Sequence, residues 1–114
     1  MSFRIFYLDD EPELLELFQD MFSGDGIDIS VFSEVSTALQ AIEKQPPDLI
    51  FLDYRLAGIT GDEIALQLDP GLPKALITGD QQVKTKASFV AYFSKPYRVG
   101  EIEAFIKECI QSTT

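Results

Sequence analysis

The sequence predicts an α/β fold in which helices cover both faces of a five-stranded parallel sheet. Three observations point there. Apolar runs too short for helices recur along the chain, amphipathic stretches with helical spacing lie between them, and Gly or Pro punctuates most junctions. Phe3 to Leu8 is apolar except for Arg4 and reads as a buried strand. Asp9-Asp10-Glu11-Pro12 follows, and Pro12 suits a first helical turn because no N–H is needed there. Leu14, Leu15, Phe18, Met21 and Phe22 then repeat at helical spacing, and Gly24 and Gly26 end that helix. Ile27 to Phe32 alternates apolar and polar residues, as a second strand would.

Ser33 is placed to cap a second helix with Val35, Ala38, Leu39 and Ile42 on its inner face, and Pro46-Pro47 stops it. Leu49 to Leu52 is an unbroken apolar run that ends at Asp53, the mark of a central strand. Gly58 and Gly61 indicate a loop, and a short helix runs through Ile64, Ala65 and Leu68. Asp69-Pro70-Gly71 breaks the chain before a fourth strand, Ala75 to Ile77, which ends at Thr78-Gly79-Asp80. Phe89 to Phe93 is the fifth strand, ending at Ser94-Lys95-Pro96, and Ile102, Phe105, Ile106, Cys109 and Ile110 form the stripe of a last helix. Right-handed crossovers leave few topologies, of which the flavodoxin-like doubly wound order 2-1-3-4-5 is the common one at this size. One domain over residues 1–114 is expected, without repeat, linker or low-complexity stretch.

Composition excludes several functions. The chain has no histidine, which rules out His-based acid–base catalysis, His metal sites and a phosphohistidine carrier. Its net charge of −10 argues against direct binding to nucleic acid or anionic membranes. No apolar run is long enough to span a bilayer and the N-terminus lacks signal-peptide order, so a cytoplasmic location is the default expectation. The single cysteine, Cys109, cannot form an internal disulfide and reads as a small buried side chain. Charge is uneven: residues 1–70 carry 15 acidic and 3 basic side chains, whereas residues 71–114 carry 4 and 6.

Open parallel sheets place their sites at the carboxyl ends of the strands, where the strand order reverses. Strands one and three meet there, with Asp9, Asp10 and Asp53 at their ends; strand four contributes Thr78 and strand five Lys95. Gathered carboxylates repel one another unless a cation joins them. Mg²⁺ fits, because it takes hard oxygen ligands and needs only one or two protein carboxylates. Asp10 and Asp53 are the expected direct ligands, with Asp9 acting through water and the Arg55 backbone carbonyl as a further oxygen. Asp53 then becomes a carboxylate nucleophile toward phosphorus, with Lys95 neutralising charge and Thr78 hydrogen-bonding the phosphoryl oxygens.

The segments FYLDDEP, LIFLDYRLAGITGDE, LITGD and AYFSKP resemble the four signature blocks of bacterial two-component response-regulator receiver domains, and the resemblance covers essentially the whole chain. It implies that Asp53 is the phosphoacceptor, Asp9 and Asp10 the acidic pair, Thr78 the switch hydroxyl, Lys95 the active-site lysine and Tyr92 the rotating aromatic. It further implies a cis bond before Pro96 and a loop-closing role for Gly61. A histidine kinase or phosphotransfer protein would be the donor and an undetermined protein the downstream partner. Such a domain promotes its own phosphorylation and slow dephosphorylation without being a conventional enzyme.

The sequence also departs from that pattern. Asp53 to Thr78 spans 25 residues and Thr78 to Lys95 spans 17, both short, and DQQVKTKASFVAYF leaves little room for a full fourth helix. An altered output surface is therefore expected, with either a weaker switch or unusual partners. Ala57 stands where many relatives have proline. Arg55 and Asp80, each two residues beyond a site residue, are expected to pair across the site and obstruct the water that hydrolyses the acyl phosphate. No output domain fits within 114 residues, so action by protein contact or as a phosphoryl carrier is expected, although the chain is also compatible with a receiver cut from a longer protein. The competing reading is a receiver-like interaction module that is not phosphorylated. Flavodoxin-type and haloacid-dehalogenase-type alternatives fail, the first because Asp9-Asp10-Glu11 would repel a flavin phosphate, the second because the DxD pattern after strand one is missing.

Overall fold

A computed structural model of the chain describes residues 2–80 and 83–112. Its elements in chain order are β1 (Phe3–Leu8), α1 (Pro12–Phe22), β2 (Ile27–Phe32), α2 (Val35–Lys44), β3 (Leu49–Asp53), β4 (Arg55–Leu56), β5 (Ile59–Thr60), α3 (Gly61–Gln67), β6 (Lys74–Thr78), β7 (Ala91–Ser94) and α4 (Val99–Ser112). The main sheet is parallel in the order β2-β1-β3-β6-β7, which is the predicted 2-1-3-4-5 once the small antiparallel hairpin β4–β5 is set aside.

Strand periodicity sorts the core into two layers. Ile5, Tyr7, Leu49, Phe51, Ala75 and Ile77 meet Leu15, Phe18 and Phe22 of α1 and Ile102 and Ile106 of α4. Phe6, Leu8, Ile50, Leu52 and Leu76 point the other way, onto Ala38 of α2 and Ile64 and Ala65 of α3. Because β1, β3 and β6 are covered on both faces, they appear in the sequence as continuous rather than alternating apolar runs. Phe18 anchors the first layer, its ring centre 4.6 Å from Tyr7, 4.8 Å from Phe22 and 5.1 Å from Phe51. Cys109 is half-buried beside this layer, and burial raises its thiol pKa, in keeping with a packing role.

Local chemistry departs from expectation in several places. Glu34, not Ser33, is the N-cap of α2, and no side chain caps that helix. The stretch expected as a loop between Gly58 and Gly61 is instead β5 followed directly by α3. Gly58 sits in the hairpin turn with φ at +78°. Thr60 caps α3 in a capping box: its hydroxyl accepts from the Glu63 N–H at 3.1 Å, and the Glu63 carboxylate accepts from the Thr60 N–H at 3.2 Å. Gly61 is the first helical residue, and any Cβ there would overlap the backbone carbonyl of Asp53. The fifth strand begins at Ala91, two residues later than its apolar run suggests.

The largest departure lies between β6 and β7. Among the described residues no helix intervenes there, and Gln81 and Gln82 lie outside them. Irregular chain with bends takes the place of the fourth helix, with Val83, Ala87 and Phe89 packed on the second core layer. Chain without a helix must still satisfy its backbone N–H groups. Asp62, buried in the first turn of α3, does so: its carboxylate accepts from the Lys86 N–H at 2.9 and 3.1 Å and from the Ala87 N–H at 2.9 Å.

Asp62→Ala is therefore expected to cost about 2–4 kcal/mol, since bonds to a charged group and part-buried donors are lost together. Equilibrium denaturation measures the loss, and amide exchange should show Lys86 and Ala87 losing protection first. Unchanged exchange at those amides would contradict the role given to Asp62.

Candidate functional site

The ends of β1, β3, β6 and β7 converge on one rim of the sheet. Register does this: Leu8 pairs with Leu52, Asp53 with Ile77 and Thr78 with Ser94, so residues just past these positions share one edge. Asp9, Asp10 and Asp53 meet there, each offering a carboxylate oxygen within 4.8 Å of the others. Asp9 is 0% exposed and Asp53 4% exposed, whereas Asp10 faces solvent.

Lys95 enters the cluster from beyond β7. Its backbone N–H donates to the Thr78 carbonyl at 2.9 Å, and the Lys95–Pro96 peptide bond is cis. Its ammonium lies 3.0 Å from Asp9 Oδ2 and 3.2 Å from Asp53 Oδ1, an ion pair shared between two carboxylates. Burial works against the Lys95 charge, but the hydrogen bond it donates to Asp9 and the charges of Asp9 and Asp53 outweigh it and hold its pKa above the ordinary lysine value. One ammonium cannot neutralise three carboxylates. Asp53 registers the deficit: burial first and then the Asp9 charge push its carboxyl up from 3.8 to about 6, with Lys95 acting in the opposite direction.

Asp9 is held from three sides. Its Oδ1 accepts from the Glu11 N–H at 3.0 Å, and its Oδ2 accepts from both Lys95 and the Tyr7 hydroxyl. Tyr7 itself is buried within the first core layer, and burial with the adjacent Asp9 charge drives its phenol well above the ordinary tyrosine value. Tyr97 packs near Phe18 and Phe22, with its hydroxyl buried and, among the described residues, without a hydrogen-bond partner. Its phenol too is raised, by burial and then by the Asp9 charge.

The other predicted site residues line the rim at varying depth. Thr78 is buried at the end of β6, and its hydroxyl oxygen accepts from the Asp80 N–H at 3.0 Å, leaving its own proton free to donate. Arg55 and Asp80 do pair, Nε to Oδ2 at 2.7 Å, spanning from the hairpin to the β6–β7 connection in largely exposed surroundings. The Gly61 N–H to Tyr54 carbonyl bond sets the alternation of that hairpin and leaves the Arg55 carbonyl outside its ladder. Tyr92 points outward: it is 57% exposed, its hydroxyl lies 3.1 Å from Thr85 Oγ1 and its ring packs on Phe89. Between Tyr92 and Thr78 runs an open cleft of about 440 Å³.

Three contributors escaped the sequence reading. Tyr7 lies inside an apolar run, where an aromatic residue signals core. Asp62 looks like an ordinary first-turn acid favoured by the helix dipole. The Thr60-x-x-Glu63 spacing is a legible capping box that was hidden by the glycines around it.

A model of the response regulator receiver domain family matches residues 5–107. The DNA-binding response regulator MtrA of Mycolicibacterium smegmatis is 31% identical over 114 residues, which cover 94% of this chain and 50% of that protein. The alkaline phosphatase synthesis transcriptional regulatory protein PhoP of Bacillus subtilis is 28% identical over 119 residues, covering 97% and 50%. The chain thus spans about half the length of the curated relatives it matches. Among solved structures, a CheY-like receiver domain protein from Methanospirillum hungatei superposes with a TM-score of 0.88 at 23% identity, over 98% of this chain and 96% of that one. The signal receiver domain of an HD domain-containing protein from Pseudomonas fluorescens gives 0.89 at 20% identity, over 98% and 97%. Those likenesses show the fold; the match along the sequence shows more, and the chain belongs to the receiver-domain family of two-component response regulators.

Proposed function

We propose that this receiver accepts a phosphoryl group on Asp53 from the phosphohistidine of a histidine kinase or phosphotransfer protein. The observation that carries the reading is the Asp9–Lys95–Asp53 cluster, two buried carboxylates sharing one ammonium beside an exposed third carboxylate. In the transfer, an Asp53 oxygen forms a bond to phosphorus while the P–N bond to the donor imidazole breaks and the imidazole leaves with that electron pair. Above its pKa of about 6 the Asp53 carboxyl is ionised and able to attack. Lys95, already 3.2 Å from Asp53, is placed to pair with the incoming phosphoryl oxygens, and the Thr78 hydroxyl to donate to one of them.

The donor set fits Mg²⁺: all its atoms are oxygens, they converge, and their charge exceeds what Lys95 offsets. Asp10 and Asp53 are the ligands we assign to it, with Asp9 acting through water and the Arg55 carbonyl as a further oxygen. When bound, the ion would neutralise charge on the carboxylates and on the transferred group.

For output, the reading is a change in the surface around β7, passed to a protein partner not yet identified. Direct contact with nucleic acid through this unit is not proposed, given the net charge of −10. Among the described residues no helix is long and apolar enough to cross a membrane. One observation favours the alternative of an interaction module without phosphorylation: among the described residues the β6–β7 connection has no helix, and Tyr92 is bonded to Thr85 on the outside.

Incubation with a small acyl-phosphate donor and Mg²⁺, read by intact mass, separates the two readings. One added phosphoryl group is expected on wild type and none on Asp53→Asn; labelling of Asp53→Asn at another site would contradict the assignment. Arg55→Ala is expected to speed loss of the acyl phosphate severalfold by opening the path of water, and an unchanged decay rate would remove that role.

Stability supplies an independent check. A raised carboxyl pKa means that the folded state holds its proton more tightly than the unfolded one. The cost of ionising Asp53 is thus absent below about 4, grows as pH rises, and is complete above about 6. Without Mg²⁺ it reaches roughly 2–3 kcal/mol. Asp53→Asn is therefore expected to match wild type near pH 4 and to exceed it by about that amount at pH 7 in chelator. Equal stability at both pH values would contradict the charge crowding.

A further inference from the structure

We propose that Tyr7 is a positioning residue of this site: its hydroxyl fixes Asp9 as the standing counter-ion of Lys95 and lowers the affinity of the carboxylate cluster for Mg²⁺. The inference rests on the phosphoryl-transfer reading above and adds a residue that the reading does not use.

Tyr7 lies in β1 with no exposed surface, its ring 4.6 Å from Phe18 and 6.4 Å from Phe51. Phenylalanine would fill the same space. The hydroxyl is the whole difference, and a buried hydroxyl is costly unless bonded. It donates to Asp9 Oδ2, which also receives the Lys95 ammonium at 3.0 Å, while Asp9 Oδ1 receives the Glu11 N–H. Three donors on a fully buried carboxylate leave it anchored, with its charge spread into protein groups. Asp9 so held acts on a bound cation through its field, and it keeps Lys95 beside Asp53.

Removing the hydroxyl has two effects that oppose each other. Charge on Asp9 is concentrated, so Mg²⁺ binds more tightly. Asp9 and Lys95 are held less firmly, so phosphoryl acceptance slows. A merely structural role would move neither in this pattern.

The test uses Mg²⁺ titrations of wild type, Tyr7→Phe and Tyr97→Phe, read by tyrosine absorbance, which tryptophan does not obscure because the chain contains none. Wild type and Tyr97→Phe are expected to show a saturable Mg²⁺-dependent tyrosine difference spectrum that Tyr7→Phe lacks. Calorimetry is expected to give Mg²⁺ affinity roughly three- to tenfold higher in Tyr7→Phe, less than a whole charge-assisted bond because Lys95 and the Glu11 N–H still hold Asp9. Acquisition of phosphoryl groups at saturating Mg²⁺ is expected to be severalfold slower. Wild type that responds to Mg²⁺, with a Tyr7→Phe protein of the same affinity and spectrum, overturns the role of Tyr7 alone. Loss of the signal in Tyr97→Phe but not in Tyr7→Phe overturns it too. Wild type blind to Mg²⁺ overturns the metal reading together with it. Should Tyr7→Phe not fold, ¹³Cζ-tyrosine labelling of wild type decides: the Tyr7 resonance, identified by contacts to Phe18 and Phe51, must move with the Asp10 amide as Mg²⁺ is added, and a fixed resonance overturns the proposal.

Discussion

One ammonium set between two buried carboxylates governs the rim of this sheet. Lys95 is contributed from beyond β7, Asp9 from the end of β1 and Asp53 from the end of β3, and no two of them are neighbours in sequence. Parallel register brings them together, and their charges then impose terms on everything nearby. Two buried anions without a partner would be expelled or protonated. With Lys95 they persist, yet remain short of cation because Asp10 stands beside them. That deficit raises the Asp53 carboxyl, and on the proposed reading it is what a divalent ion and a phosphoryl group would answer.

The rest of the fold is organised to keep that arrangement rigid. Gly61 lets α3 start against the Asp53 carbonyl, so the strand end and the helix start are locked together. Asp62, one residue later, ties the opposite connection down through the Lys86 and Ala87 amides. Among the described residues, the chain between Thr78 and Tyr92 is therefore irregular and pinned instead of helical. A switch built on this connection must work against the Asp62 bonds and the Thr85–Tyr92 bond, both in place before any phosphoryl group arrives.

Most of the architecture was legible because it follows from periodicity. Apolar runs covered on both faces marked β1, β3 and β6, and helical spacing marked α1 and α4. The site was legible because Asp9, Asp53, Thr78 and Lys95 each end or follow a strand, and a sheet of this order puts such residues at one rim. The pairing of Arg55 with Asp80 was also anticipated from their positions. What escaped was set by side-chain hydrogen bonds over long sequence separation. Asp62 bonds to amides 24 and 25 residues away, and nothing within α3 signals that. Tyr7 has the spacing of a core residue and is one; only its hydroxyl carries further meaning. The capping of α2 failed for a simpler reason, since Ser33 stands one residue too early to cap a helix that begins at Val35.

The account depends on the carboxylates of the rim acting as one cation-binding unit. The most direct measurement is a Mg²⁺ titration of the ¹⁵N-labelled protein followed by two-dimensional NMR. Amides of Asp9, Asp10, Asp53, Arg55 and Lys95 should move along one saturable curve while the far ends of the strands stay still. Weak, unsaturating shifts spread over exposed acids of α1 such as Glu13, Glu16 and Asp20, with the rim unmoved, would contradict it.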